Sequence, residues 1–208
     1  MLHFQTLPDG SLDLLKDLSA HPILQQFSLV GGTALALRLG HRRSIDFDFF
    51  TPEPFDVENL AEALSREVDG FETTGMNKEG LNAQVSDLKV DFVAYRYPLL
   101  ALPETQDGIR MFSLPDIVGM KLSAITNRGA RKDFYDLHAL ILHLGVDKLI
   151  DIYKSKYPSH DPMIVLRSMI YFEDAEDDND PELLMGQNWE AVKEAIGEAV
   201  KTCQSLVM

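Results

Sequence analysis

Cysteine, positive charge and long apolar runs are all scarce in this sequence, and each shortage excludes something. Cys203 is the lone cysteine of 208 residues. A single thiol forms no internal disulfide, which fits a reducing compartment and makes the cytoplasm the expected location. No Cys/His spacing of the zinc-site kind is present. No run of about 18 apolar residues occurs, so no membrane span is expected. Met1-Leu2-His3-Phe4-Gln5 lacks the basic-then-apolar order of a signal peptide. The glycine-rich Walker A pattern of P-loop proteins is missing as well. Lys and Arg number 19 against 33 Asp and Glu, a net charge of −14 that argues against a broad electrostatic surface for nucleic acid.

What remains is an ordinary globular composition, 45% hydrophobic and 25% charged, long enough for one large domain or two small ones. The charge is unevenly distributed. Residues 151–208 carry twelve acidic and five basic side chains, half of the whole excess. Arg38, His41, Arg42 and Arg43 crowd one short stretch, and Arg128, Arg131 and Lys132 crowd another. Two local basic pockets on an acidic protein are the expected outcome.

The first of those stretches organises the chain. After the apolar run Phe27-Ser28-Leu29-Val30 comes GGTALALRLGHRRSIDFDFF, residues 31–50. Gly31 and Gly32 let the backbone turn tightly and expose its N–H groups, and Thr33 is a candidate N-cap for the helix that follows. A glycine turn at a helix N-terminus makes a phosphate cradle from free amides and the helix dipole. Ser44 to Phe49 then alternates, and alternation in a strand puts Asp46 and Asp48 on one face, with Ile45, Phe47 and Phe49 buried on the other. Two carboxylates about 7 Å apart at their Cα atoms repel unless a cation sits between them, and hard divalent ions such as Mg²⁺ prefer oxygen ligands. A bare edge strand with one wet face has the same pattern; the glycine turn just upstream favours a nucleotide and its metals.

Along the rest of the chain, residues 11–26 read as an amphipathic helix, and Val57 to Val68 as another capped by Asp56. Residues 71–95 read as three strands, the last of which, Leu88 to Tyr95, places Asp91 among apolar neighbours. A charge there is costly unless it is paired or bound to metal; as a simple strand-end aspartate it would pair with Lys89 or Arg96. Tyr97 to Phe112 reads as a loop. Ser113 caps a helix to about Asn127. Lys121, Arg128, Lys132 and Asp136 form one polar stripe if the helix continues through Gly129, otherwise a salt-bridged surface. Helices follow over 137–170. The segment 173–182, seven acids in ten residues, reads as a solvated loop, and Trp189 to Leu206 as a final helix.

The string GGTALAL…HRRSIDFDFF, together with MKLSAITNRGARKDFYDL over residues 120–137, resembles the AbiEii/AbiGii toxin family of the DNA polymerase β-like nucleotidyltransferase superfamily. The resemblance covers most of residues 27–200. It implies an α+β fold: a polymerase β-like core with a small mixed sheet flanked by helices over residues 1–112, and a C-terminal helical region over 113–208 that closes the nucleotide cleft. It implies transfer of a nucleoside monophosphate from an NTP, with Mg²⁺ or Mn²⁺ on Asp46, Asp48 and Asp91. Lys121 and Asp133 would join those three in catalysis. Gly31, Gly32, Thr33, Arg42, Ser44, Arg128, Lys132 and Asp136 would bind nucleotide and phosphate. The acceptor would be RNA, such as tRNA, or protein, and a cognate antitoxin is the expected partner. A small-molecule nucleotidyltransferase of the aminoglycoside kind and a catalytically silent nucleotide-binding protein are the alternatives.

Overall fold

The computed structural model describes residues 1–204. Helix α1 (Ser11–Ala20) stops immediately before His21-Pro22, and a separate 3₁₀ turn spans Pro22–Leu24, so the expected helix over 11–26 is shorter than read. Pro22 lacks the N–H that a continuing helix needs. Strand β1 (Ser28–Val30) runs directly into helix α2 (Gly31–Leu39), and β2 (Phe47–Thr51) returns beside it. Helix α3 (Val57–Glu67) is capped as expected, with the Asp56 carboxylate accepting from the Asn59 N–H. Strands β3 (Phe71–Asn77), β4 (Gly80–Val85) and β5 (Leu88–Ala94) form a meander.

Two short strands, β6 (Glu104–Gln106) and β7 (Ile109–Met111), occupy the segment read as a loop. Three-residue strands carry too little alternation to be visible in sequence. Ile109 and Met111 are nevertheless fully buried, and Met111 pairs in parallel with Leu29. The sheet order is β3-β4-β5-β2-β1-β7-β6. It is mixed: β1 pairs β2 antiparallel, whereas β2 pairs β5 in parallel.

Every strand precedes Leu114, and helices make up the remainder. These are α4 (Leu114–Asn127), α5 (Arg131–Leu144), α6 (Val146–Lys156), α7 (Pro162–Met169) and α8 (Trp189–Lys201). The final helix ends at Lys201; Leu206, to which it was expected to extend, lies outside the described residues. One apolar cluster runs through the sheet and the helices, from Leu2 to Ile196. Its centre is aromatic, with Phe49 of β2 stacked on Phe92 of β5 at 5.7 Å and Phe27 edge-on to Phe92 at 5.5 Å. Burying each such side chain is worth roughly 1.5–3 kcal/mol, and these rings fix the β2–β5 register that positions the aspartates. Among the described residues, no helix is long and apolar enough to cross a membrane.

Candidate active site

The two glycines of the β1–α2 turn are there for close approach. Gly31 has φ +68°, and a Cβ on it would stand 2.3 Å from Asp48 Oδ2. A Cβ on Gly32 would stand 2.5 Å from Arg42 Nη2 and 3.2 Å from Ser44 Oγ. The turn is thus pressed against an aspartate on one side and an arginine on the other, and only glycine fits both places. Thr33 is not the N-cap. Helix α2 begins at Gly31 with Val30 as its cap residue and no side-chain cap. The Thr33 hydroxyl instead donates to the Asp46 carbonyl and lies 2.9 Å from Ser44 Oγ, tying α2 to the segment that leads into β2.

That segment is not a strand. Strand β2 starts at Phe47, so Asp46 precedes it, and Ile45 is 59% exposed rather than buried. Phe47 and Phe49 face the core as expected. Asp48 is the register partner of Asp91 across the parallel β2–β5 pair, and Asn82 of β4 is the partner of Asp91 on its other side. Asn82 donates to Asp91 Oδ1 at 2.8 Å, and Lys89 reaches Asp91 Oδ2 at 2.7 Å. Asp46, more exposed, stands 3.8 Å from Lys132 Nζ. Burial pushes the Asp48 carboxyl above its ordinary value, the neighbouring Asp91 adds to the rise with Asp46, and Lys121 opposes it.

Among the described residues, no three His, Cys, Asp or Glu side chains are gathered into a ready metal-binding group. The donor chemistry still fits a hard cation. Asp48 and Asp91 are oxygen donors on adjacent strands, Asp46 stands just ahead of β2, and burial together with the acidic neighbours disfavours the ionised form of Asp48 when no cation is bound. A cation bound there would compete with the Lys89 and Lys132 pairs.

Behind the turn lies a buried ion network. Gly129 ends the polar stripe expected on one helix: α4 stops at Asn127, Gly129 takes φ +52°, and α5 restarts at Arg131. The reversal folds Asp133 and Asp136 of α5 back onto Lys121 of α4. Lys121 Nζ donates to Asp133 Oδ1 at 3.1 Å and pairs with Asp136 Oδ2 at 2.6 Å. Arg42 embraces the Asp136 carboxylate with two bonds, Nε to Oδ1 at 2.7 Å and Nη2 to Oδ2 at 2.9 Å, and donates its third nitrogen to the Arg43 carbonyl. His41 Nε2 donates to Asp136 Oδ1 at 2.6 Å. Arg128, whose side chain is 57% exposed, forks onto Asp133 at 2.9 and 3.1 Å.

The basic cluster beside the aspartates is therefore largely spent on protein acceptors, although Arg42 and Arg43 also line a cleft. Arg38 donates to the Phe112 carbonyl, His41 and Arg42 serve Asp136, and Arg43 pairs with Glu182 at 3.0 Å. Nor is the acidic segment simply solvated. Arg131 donates to the carbonyls of Ala175 and Glu176, pairs with Asp180 at 3.3 Å and lies over the Trp189 ring at 4.9 Å. Arg43 N–H donates to the Glu182 carbonyl, and Arg42 bridges Leu183. His41 and this acidic strap were missed as structural partners in sequence. The available signal was HRR at 41–43 facing a run of acids far along the chain.

Burial alone would raise Asp136 and Asp133. For Asp136, Arg42 and Lys121 outweigh it and hold the carboxyl well below its ordinary value; for Asp133, Lys121 and Arg128 do the same less strongly. Groups depressed in this way stabilise the fold above their unfolded value near 3.8 and lose that contribution as pH falls through the depressed values. Asp48, being raised, has the opposite sign, and its folded state gains as pH falls. With two depressed carboxylates against one raised, thermal midpoints are expected to hold down to about pH 4 and then fall steeply. A midpoint that stays flat from pH 7 to pH 2.5 would contradict the network.

Two clefts flank the aspartates. One, of about 300 Å³, is lined by Gly31, Asp48, Phe50, Met120, Lys121, Asn127 and Arg128. The other, of about 420 Å³, is lined by Arg43, Ser44, Asp46, Lys132 and Glu182 among others. A cleft with carboxylates on one wall, cations on the other and a glycine turn at its edge is suited to a phosphate chain.

The family model described as "Nucleotidyl transferase AbiEii toxin, Type IV TA system" matches residues 13–205. The chain belongs to the AbiEii nucleotidyltransferase family. This AbiEii chain is 40% identical over 188 residues to an uncharacterized protein, aq_aa25, of Aquifex aeolicus (strain VF5), covering 86% of this chain and 88% of that one. Its fold is similar to that of MenT4, a nucleotidyltransferase toxin of Mycobacterium tuberculosis H37Rv, with TM-score 0.51 at 16% identity, covering 93% of this chain and 84% of that one. It is also similar to ANT(2")-Ia, solved in complex with adenylyl-2"-tobramycin, with TM-score 0.55 at 18% identity over 71% of this chain and 97% of that one. The AbiEii chain is thus a nucleotidyltransferase with the polymerase β-like fold.

Proposed function

We propose that this enzyme moves a nucleoside monophosphate from an NTP to an RNA or protein acceptor, releasing pyrophosphate, and that it acts as the toxin of a toxin–antitoxin pair in the cytoplasm. The observation that carries the reading is the pairing of Asp48 with Asp91 on adjacent strands, at a cleft whose other wall bears Lys121 and Arg128.

A divalent cation held by Asp46, Asp48 and Asp91 would offset charge on the triphosphate and make an acceptor hydroxyl easier to deprotonate. The residues themselves supply the rest. The glycine turn offers the free amides at the start of α2 to phosphate oxygens. Lys121, held in place by Asp133 and Asp136, sets positive charge along the cleft where the pyrophosphate departs, and Arg128, held by Asp133, adds a cation at the cleft's mouth. Lys132 and Ser44 take the Asp46 side. Arg42 and Asp136 act through others: all three Arg42 nitrogens are engaged, and their work is to hold the glycine turn and Lys121.

The test is transfer of label from each α-³²P-NTP, with Mg²⁺, to total RNA, protein or an aminoglycoside, using Asp46→Ala/Asp48→Ala as control. Label on RNA or protein that vanishes in the double variant, with growth arrest on expression, supports the reading. Full transfer by the double variant would refute the metal assignment, and label on the aminoglycoside alone would refute the toxin role.

A further inference from the structure

A second cleft opens off the catalytic one at the α4–α5 reversal. It has a volume of about 310 Å³ and borders the Asp48 cleft at Asn127 and Arg128, which line both. Its far wall is α7 and the turn after it, with Arg167, Ser168, Tyr171 and Asp174. On a chain with 33 acidic residues against 19 basic ones, two guanidinium groups facing one cleft are out of keeping with the general charge. Arg128 spends Nε and Nη2 on Asp133, nothing among the described residues accepts from Nη1, and its side chain is 57% exposed. Arg167 is exposed and, among the described residues, no carboxylate or carbonyl accepts from it. Most arginines of this protein are anchored by an acceptor; this one is held over a cleft without one.

The third feature is a ring. Tyr171 is 49% exposed, and its hydroxyl is turned away to Glu173 Oε2 at 3.1 Å. An exposed aromatic face beside two guanidinium groups matches the two halves of one nucleotide: a phosphate for the cations and a base for the ring. An acidic peptide would use the arginines but leave the ring without a planar partner, and a cationic small molecule would be repelled by both arginines. Asp174 is the one carboxylate on the wall, and it disfavours a densely charged duplex more than a single phosphodiester.

We infer that the Arg128–Arg167–Tyr171 cleft is the acceptor subsite and binds one nucleotide of a single-stranded RNA, its phosphate between the two guanidinium groups and its base on Tyr171, next to the end that is modified at Asp48. This rests on the nucleotidyl-transfer reading above and commits it to RNA.

The experiment pairs binding with transfer in the full chain. Binding of a fluorescent single-stranded RNA is measured by anisotropy at several salt concentrations, and label transfer from α-³²P-NTP is measured in parallel. Arg167→Glu is expected to weaken RNA binding roughly tenfold or more, and Arg167→Gln to lower the salt slope by about 0.7, the value for one phosphate contact on a single strand. Tyr171→Ala is expected to weaken binding with no change in that slope. NTP binding should stay within about twofold in all three, and Arg66→Glu, a remote exposed arginine, should leave RNA binding unchanged. Thermal midpoints show that each variant is folded. Equal RNA binding by wild type and Arg167→Glu, an equal loss of NTP binding, or transfer to protein but not RNA would each overturn the subsite. If the wild type binds RNA through Arg167 and Tyr171 but transfers no label from any NTP, the subsite stands and the transfer reading fails.

Discussion

Replacing Asp48 by asparagine is expected to lower nucleotidyl transfer by about 10³-fold, the scale on which loss of one preorganised electrostatic group is felt, while raising the thermal midpoint at pH 7. The two effects have one cause. Asp48 is buried beside Asp91 and Asp46, with Gly31 packed onto its carboxylate. Burial and like charge raise its carboxyl above the ordinary value, so the ionised form opposes folding at any pH above that of a free aspartate. Asparagine has the same shape and no charge, so it removes the opposition and the site's function together. Divalent cation should separate the proteins further: added Mg²⁺ or Mn²⁺ should raise the midpoint of the wild type and not that of Asp48→Asn. A variant that is less stable than wild type in metal-free buffer, or one that keeps full transfer, would show that Asp48 is a structural aspartate.

Asp136→Ala is expected to be the most destabilising single change in the site, by about 3–5 kcal/mol, with transfer lost because the protein fails to hold its cleft. Asp136 is fully buried and accepts from His41, from two nitrogens of Arg42 and from Lys121. Truncation leaves the buried Arg42 guanidinium without its counter-ion and the buried Lys121 ammonium with Asp133 alone, and an uncompensated buried charge costs several kcal/mol. The damage should reach the phosphate cradle, since the Arg42 guanidinium that Asp136 orients is packed against Gly32. Denaturant unfolding of Asp136→Ala against Asp133→Ala provides the comparison. Asp133 keeps a partner, Arg128, that can turn out to water, so its loss should be the milder one. Equal effects, or a loss under about 1 kcal/mol for Asp136→Ala, would mean that the network is not what joins α2, α4 and α5.

The chemistry was legible along the chain because it is written at short range. The glycine pair, Asp46 and Asp48 lie within eighteen residues, and the alternation of Phe47, Asp48 and Phe49 follows from the period of two in a strand. Asp91 stood out for the same reason, as a charge among apolar strand residues. The caps at Asp56 and Ser113, the interruption at Gly129 and the helices of the second half are likewise local, decided by hydrogen bonds and backbone angles within a turn.

Only the tertiary structure decided which charges face a substrate and which face each other. Arg42 and Arg128 look alike in sequence, yet one is buried against Asp136, 94 positions away, while the other stands half in water over a cleft. The same holds for Lys132 on Asp46, for Arg131 gathering the acidic strap, and for the β6–β7 hairpin, stabilised by burial of Ile109 and Met111 beside β1. A charged side chain has no periodic signature of its own partner. Its role is fixed by desolvation and by the nearest opposite charge, and both depend on contacts between residues that the chain brings together only when it folds.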